Sequence, residues 1–392
     1  MSEWRECKLG DIADVKGGKR LAKGELLTTE KTPHPYIRIT DFNGYKINLS
    51  NILYVNEEVQ KSISRYIVNK QDLILSIVGT IGLCAKVPDE LDNANLTENC
   101  IKLVFDTTKI DTNFLYYHLI SPDTQELIRG LDVGSTQPKL PIYNVQKIDI
   151  SLPPLEEQKA IAEVLSSLDD KIDLLHRQNK TLEELAQTLF RQWFVEGEEA
   201  TCYLFGELVD SISVKHRFES DKVIFLNTSD VYDGKVLHNN YSIVSGLPGQ
   251  AKKSIKKGDI LFTEIRPANK RFAFIDFEAD DYVVSTKLMV LRSKNVLDTS
   301  IVYLFLKQQD TLNYLQMLAE SRSGTFPQIT FDHLKTVEIF VPKDKDILEN
   351  TTNIFKDIVT KTFSNHATIK TLENMRDALL PKLMSGEVRV RI

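Results

Sequence analysis

Residues 155–196 read LEEQKAIAEVLSSLDDKIDLLHRQNKTLEELAQTLFRQWFVE, without a glycine or proline. Apolar residues fall at Ile161, Leu168, Leu175, Leu182 and Leu189, a strict seven-residue period, and Val164, Leu165, Ile172 and Leu185 widen the stripe. That pattern predicts one amphipathic helix, roughly 60 Å long at the usual helical rise. A heptad stripe of this length requires a partner helix to cover it. The chain supplies one within about Lys345 to Met384, where Ile354, Ile358, Leu372, Met375, Leu379 and Leu383 repeat the pattern. The two tails correspond closely, Lys180-Thr181-Leu182-Glu183 against Lys370-Thr371-Leu372-Glu373. The second helix is intrinsically weaker: Thr351, Thr352, Thr360, Thr362 and Thr368 lower its propensity, and Pro381 is expected to kink its end.

Working outward from the helices, the rest of the chain also reads twice, at an offset of roughly 190 residues. Leu9-Gly10-Asp11-Ile12-Ala13-Asp14 is answered by Phe205-Gly206-Glu207-Leu208-Val209-Asp210. Tyr36 to Asp41 is answered by Phe225 to Asp230, and Val68 to Ser76 by Ile255 to Thr263, each of the latter pair a polar turn followed by an apolar strand. Phe114-Leu115-Tyr116-Tyr117-His118-Leu119 and Ile301-Val302-Tyr303-Leu304-Phe305-Leu306 each look like the start of a helix. Each copy closes on a glycine-started loop, a short helix, a strand and a proline stop. These are Gly134-Ser135-Thr136-Gln137-Pro138 leading to Ile148 to Pro153, and Gly324-Thr325-Phe326-Pro327-Gln328 leading to Val337 to Pro342. The expected fold is therefore α+β: two globular α/β domains joined by two long helices that pair as an antiparallel coiled coil, with a pseudo-twofold internal repeat. The expected boundaries are 1–152, 153–198, 199–342 and 343–392.

A length of 392 residues suits two domains, each able to bury a core. The most apolar stretch, Leu73 to Val87, is too short to span a bilayer and reads as buried strands around Gly79 and Gly82. The polar N-terminus, Met1 to Ile12, is no secretory signal. Cys7, Cys84, Cys100 and Cys202 form no C-x-x-C pair and lie at no ligand spacing from a histidine, so neither zinc nor a disulfide framework is expected and a cytoplasmic setting fits. The net charge of −6 argues against a non-specific nucleic-acid coater but leaves room for local basic faces.

Catalytic signatures are missing. No G-x-x-x-x-G-K-[ST] loop, G-x-G-x-x-G or G-x-S-x-G elbow occurs. Pro153-Pro154 lacks the preceding Asn or Asp and the following aromatic that an amino-methyltransferase uses to hold a base. Asp169-Asp170-Lys171 has the acidic-x-Lys shape of a nuclease, but lies mid-helix without a Pro-Asp before it. A non-enzymatic chain is expected.

At this point the pattern resembles a family, the specificity (S) subunits of Type I restriction–modification systems, across essentially the whole chain. Its most specific carrier is Ser151-Leu152-Pro153-Pro154-Leu155-Glu156-Glu157-Gln158, similar to the family's junction between the first recognition domain and its helix. Trp4 to Asp11, the Gly134–Gln137 loop and the tail Leu379-Leu380-Pro381-Lys382-Leu383-Met384-Ser385-Gly386-Glu387 add to it. The second junction, Val341-Pro342-Lys343-Asp344-Lys345, departs from it. The resemblance implies two target-recognition domains, each reading one half of an asymmetric bipartite target on double-stranded DNA, with the helices setting the gap. It implies two modification (M) subunits that bring S-adenosylmethionine and methylate adenine, restriction (R) subunits that bring ATP and Mg, no cofactor on this chain, and no membrane. Pro153, Pro154, Leu155, Glu157 and Gln158 would then dock a partner. For Trp193 and Phe194 two readings stand, core packing and partner docking.

Readout of bases and phosphates calls for Arg, Lys, Asn, Gln or Ser on loops. In the first copy the candidates are Lys16, Gly17, Gly18, Lys19 and Arg20, alternatively a plain hairpin tip; Arg38 and Asp41, alternatively a surface ion pair; and Gln137 and Lys139, alternatively a helix cap. In the second they are Lys215, His216 and Arg217; Arg266, Lys270 and Arg271; and Arg322, Ser323 and Gln328. The cluster Lys252, Lys253, Lys256 and Lys257 reads better as a solvated run. The competing function is a protein-interaction scaffold with two divergent binding domains. Salt separates the two, since phosphate-driven binding weakens steeply as salt rises.

Overall fold

The computed structural model describes residues 4–134, 136–197, 199–294, 296–321 and 327–391. The chain divides into two compact units, Met1–Asp173 with Ile369–Ile392, and Leu174–Thr368.

The first unit is organised around the run Leu73–Ser76, which is buried at every position. Successive side chains of a strand point to opposite faces, so an unbroken apolar run belongs in a sheet covered on both sides. Leu73 and Leu75 enter one core, with Leu103, Phe114 and Ile161. Ile74 enters a second, with Ile37, Ala85 and Leu96. The sheet is antiparallel, in the order Ala13–Gly17, Cys100–Phe105, Leu73–Ser76, Cys84–Lys86. A second four-stranded sheet runs Leu53–Tyr54, Pro35–Ile37, Ala94–Leu96, Ile67–Val68, with its central pair parallel. Arg5–Lys8 pairs with Asp149–Leu152 and Phe42–Asn43 with Lys46–Ile47. Helices Thr112–Ile120 and Pro122–Gly130 start where Asp111 and Ser121 accept from the first-turn amides.

The second unit repeats every sheet in the same order. Val209–Ile212, Leu288–Ser293, Ile260–Thr263 and Phe272–Phe274 form the first. Tyr241–Ile243, Lys222–Leu226, Tyr282–Ser285 and Ala251–Ser254 form the second, again with a parallel central pair. Ala200–Leu204 pairs with Glu338–Pro342, and Val231–Tyr232 with Lys235–Val236. Ile260–Thr263 separates two cores as its counterpart does, Phe262 entering one and Leu261 the other. The matched glycines have a steric cause. A Cβ on Gly10 would lie 2.9 Å from Gln146 Cβ, and one on Gly206 would lie 2.7 Å from Lys335 Cβ.

The long helices are Leu155–Phe190, continued by a π-turn at Arg191–Val195, and Lys345–Met384, which carries Pro381 in its last turns. Within each unit their segments run antiparallel. In the first, Ile161, Ala162 and Leu165 share a core with Leu380, Leu383 and Met384, and Arg376 donates to Asp169 at 2.9 Å. In the second, Ala186 and Phe190 share a core with Phe355, Ile358 and Val359, and Asn365 donates to Asn179 at 2.7 Å. Thr352 and Thr368 turn their hydroxyls onto the carbonyls of Leu348 and Ser364, which accommodates threonine within the helix. The stripe read from sequence is wider than the buried seam: Leu185, Ile354 and Met375 are exposed, whereas Ala186 is buried. A heptad drifts by about 20° on a 3.6-residue helix, which carries nominal stripe positions off the seam.

Candidate nucleic-acid interface

In the first unit four loops meet at one edge of the central sheet. Ala13–Gly17 ends beside Cys100, and Gly18 N donates to Cys100 O at 3.0 Å. Ile77 N donates to Asn99 O at 2.8 Å, and Leu140 N to Ile77 O at 2.8 Å. Loop 77–83 is thereby stitched to the 97–99 turn on one side and to the Gln137 loop on the other. Ile39 approaches Gly79 as well: a Cβ placed there would meet Ile39 Cδ1 at 3.8 Å. Asp132 braces the Gln137 loop. Its Oδ1 accepts from Lys139 N at 2.7 Å and Gly134 N at 2.8 Å, and these amides hold its carboxyl below the usual range.

Lys16, Lys19, Arg20, Gln137 and Lys139 are exposed on these loops. Arg20 reaches Glu98 at 3.3 Å, and with Lys23 and Arg38 it lines a shallow groove over Tyr36 and Thr97. Two expectations are corrected. Lys16–Arg20 is not a hairpin tip but the run-off of a sheet strand. Gly18, a candidate contact, is demanded by the chain's own backbone: a Cβ there would sit 2.0 Å from Thr97 O. Asp41 is 3% exposed, and its carboxylate accepts from Arg38 N, Nε and Nη2, which removes it from the contact set. Gly17 is an exposed strand end.

The second unit builds the same edge from different side chains. Glu264 N donates to Lys287 O at 3.3 Å and Ile329 N to Glu264 O at 2.8 Å. Arg266 is exposed and left-handed, with φ 48°, and Lys270 has φ 54°. Arg271 is committed, donating to Ser229 O and Val231 O and lying over the Tyr232 ring. Gln328 Nε2 donates to Glu264 Oε2 at 3.0 Å. Lys215 and Arg217 are exposed beside Lys252, while His216 between them is buried against Ser254. Lys253 is spent on the carbonyls of Thr286 and Leu288, and burial lowers its pKa. Lys256 and Lys257 precede Ile260–Thr263, at the end of that strand away from Arg266. Arg322 and Ser323 lie outside the described residues. Sequence reading missed Lys23, Asn99 and Lys287. Aligning Cys100 with Leu288 would have found the last two, since each stands immediately before its strand.

The junction residues turn inward. Gln158 is 1% exposed; its Nε2 donates to Pro153 O and Lys109 O, and its Oε1 accepts from Asp111 N at 2.8 Å. Glu157 is buried, accepting from Trp4 Nε1 at 3.3 Å and from Arg389 Nη2 at 2.7 Å. Both are therefore braces of the first unit, and their expected partner contact is corrected on that ground. Pro153 is buried, Pro154 exposed and Leu155 half-buried. Phe194 is buried and stacks on Phe190 at 4.8 Å, while Trp193 is half-buried against Phe355. Among the described residues no cluster of His, Cys, Asp and Glu could hold a metal ion, and no helix is long and apolar enough to cross a membrane.

The family model of the Type I restriction modification DNA specificity domain matches residues 1–184 and 207–374. Over 45% of its length the chain is 44% identical to the Type I restriction enzyme HindI specificity subunit of Haemophilus influenzae, of which it spans 39%. It is 24% identical to the MjaIX specificity subunit of Methanocaldococcus jannaschii, over 99% of this chain and 94% of that one. Its fold is similar to that of a Type I restriction–modification S subunit from M. genitalium, with TM-score 0.67 and 18% identity over 97% and 96% of the two chains.

Proposed function

The chain belongs to the Type I restriction modification DNA specificity domain family, and from that premise we propose that it is the DNA sequence-specificity subunit of a Type I restriction–modification complex. Each globular domain reads one half of an asymmetric bipartite target, and the two long helices set the gap and dock the modification subunits. The domains fall at 1–152 and 199–342, with the first spacer helix at 153–198 and the second spacer helix with the C-terminal tail at 343–392.

One observation carries this reading: an edge in which loops 77–83 and 264–271 are stitched to their neighbours by matching backbone hydrogen bonds is built twice and furnished with different polar side chains. Two copies of one reader with unequal furnishing suit a target with unequal halves. Lys16, Lys19, Arg20, Gln137 and Lys139 serve the first half, and Lys215, Arg217, Arg266 and Lys270 the second; Arg38, Arg271 and Gln328 are held by the chain's own acceptors. Cations among them meet phosphate; amide and guanidinium groups reach base edges. The chain has no catalytic site of its own. Modification subunits carrying S-adenosylmethionine methylate adenine, and restriction subunits carrying ATP and Mg cleave. Pro154, Leu155 and Trp193 remain available to a partner at the two ends of the first helix.

The test maps methylated adenines in cells with and without this gene, the modification gene being present in both. A gapped two-part motif that depends on this gene is expected. No dependence, together with DNA binding by the purified complex that is insensitive to salt, would sink the reading.

A further inference from the structure

The two edges can be put in register bond by bond. Gly79 N donates to Pro138 O at 2.9 Å, and Arg266 N donates to Pro327 O at 3.1 Å. Val78 bridges Lys139, and Ile265 bridges Gln328. Ser76 N donates to Leu83 O, and Thr263 N to Arg271 O. Gly79 therefore corresponds to Arg266, and Gly82 to Lys270. All four have positive φ: 82° and 85° in the first unit, 48° and 54° in the second. Backbone conformation is thus shared, and only the first unit furnishes it with the residue that adopts it freely.

What fills the space over this backbone differs. In the first unit it is Gln137, whose Nε2 would lie 3.5 Å from a Cβ on Gly79. In the second unit Arg266 supplies its own side chain. By chain position the residue before the register-defining proline is Gln137 in one copy and Phe326 in the other. Among the described residues neither the Gln137 nor the Arg266 side chain has a hydrogen-bond or ion-pair partner. Gln328, the nearby amide of the second unit, is instead held by Glu264.

We propose that Gln137 and Arg266 occupy the same reading position in the two half-sites, and that the first half carries adenine there and the second guanine. The chemistry follows from base edges in the major groove. A glutamine amide donates and accepts at once, matching adenine N7 and N6, whereas a guanidinium donates twice, matching guanine N7 and O6. Arg266 tolerates an unfavourable left-handed backbone because its side chain is used on DNA. The inference rests on the specificity-subunit reading above.

The test enriches duplexes from a randomised library with the chain bound to its modification partner, followed by sequencing. Four proteins are compared: wild type, Arg266→Gln, Arg266→Gly and Gln137→Arg. Arg266→Gln is expected to lose a guanine preference of roughly ten- to a hundred-fold at one position of one half-site and to favour adenine there. Gln137→Arg does the reverse in the other half. Arg266→Gly, which places at 266 the residue found at 79, loses the preference while its melting temperature holds or rises. That combination separates readout from structural damage. Unchanged preferences in all three variants, beside an intact two-part wild-type motif, overturn this assignment alone. A wild-type complex that enriches no two-part motif overturns the specificity reading and the assignment with it.

Discussion

Asp259 is fully buried in the second unit, where Arg292 donates to it at 2.6 and 2.8 Å and Lys256 N at 2.9 Å. Removing the guanidinium strands a buried carboxylate, so Arg292→Met is expected to cost about 3 kcal/mol or more in a denaturant titration. One half-buried and one buried histidine respond to pH. Burial, together with the cations of Lys235 and Lys307 and with His176, pushes His366 down to about 4, with Asp233 opposing. Burial likewise lowers His118, which is 7% exposed. Unfolded, each takes up a proton near pH 6.5; folded, each resists it, so the unfolded state binds more protons below that pH. Stability is therefore expected to decline as pH falls from about 6.5 towards 4, and His366→Leu to flatten that decline in melting curves taken at stepped pH. Glu157 and Gln158 mark where residue-level reading of the sequence stops. Their composition suits a contact, but burial and partner choice depend on distant segments, such as Arg389 for Glu157 and Lys109 for Gln158.

At the scale of elements, the helices were legible because a heptad stripe and the absence of helix breakers are local facts. The second helix runs Lys345–Met384, as its pattern predicts. Which stripe residues are buried was less legible, since the seam depends on the partner's surface. Phe355 shows the packing involved: fully buried, it lies 6.1 Å from both Phe190 and Phe194. Phe355→Ala is expected to cost about 3–5 kcal/mol, measured by chemical denaturation of the complex-free chain. The seam also holds a polar layer. Asn365 donates to Asn179 at 2.7 Å and to Gln178 at 2.9 Å, and among the described residues Asn179 Nδ2 has no partner. Asn365→Leu alone is expected to lower the melting temperature by stranding the Asn179 amide further. Adding Asn179→Leu should restore or raise it, because an apolar pair suits the seam better; a double mutant less stable than the single one would refute this.

At the scale of the whole molecule, the repeat was the most readable property, because matched glycines, strands and prolines keep their order along the chain. The sheet order of each unit was not readable, since short strands of two to six residues carry little pattern. Replacing residues 1–150 with the corresponding unit of another family member is expected to change one half of the methylated motif and leave the other half intact. A change in both halves would contradict separate reading. The left-handed positions at 79 and 266 bear on how such halves diversify. In the genetic code a glycine codon beginning GG becomes an arginine codon by one base change, and the reverse step is as short. A backbone already held in the conformation that glycine prefers can accept that exchange without rebuilding a loop. On the assignment proposed above, one route to a new half-site passes through a single nucleotide at a position whose backbone is the same in both units.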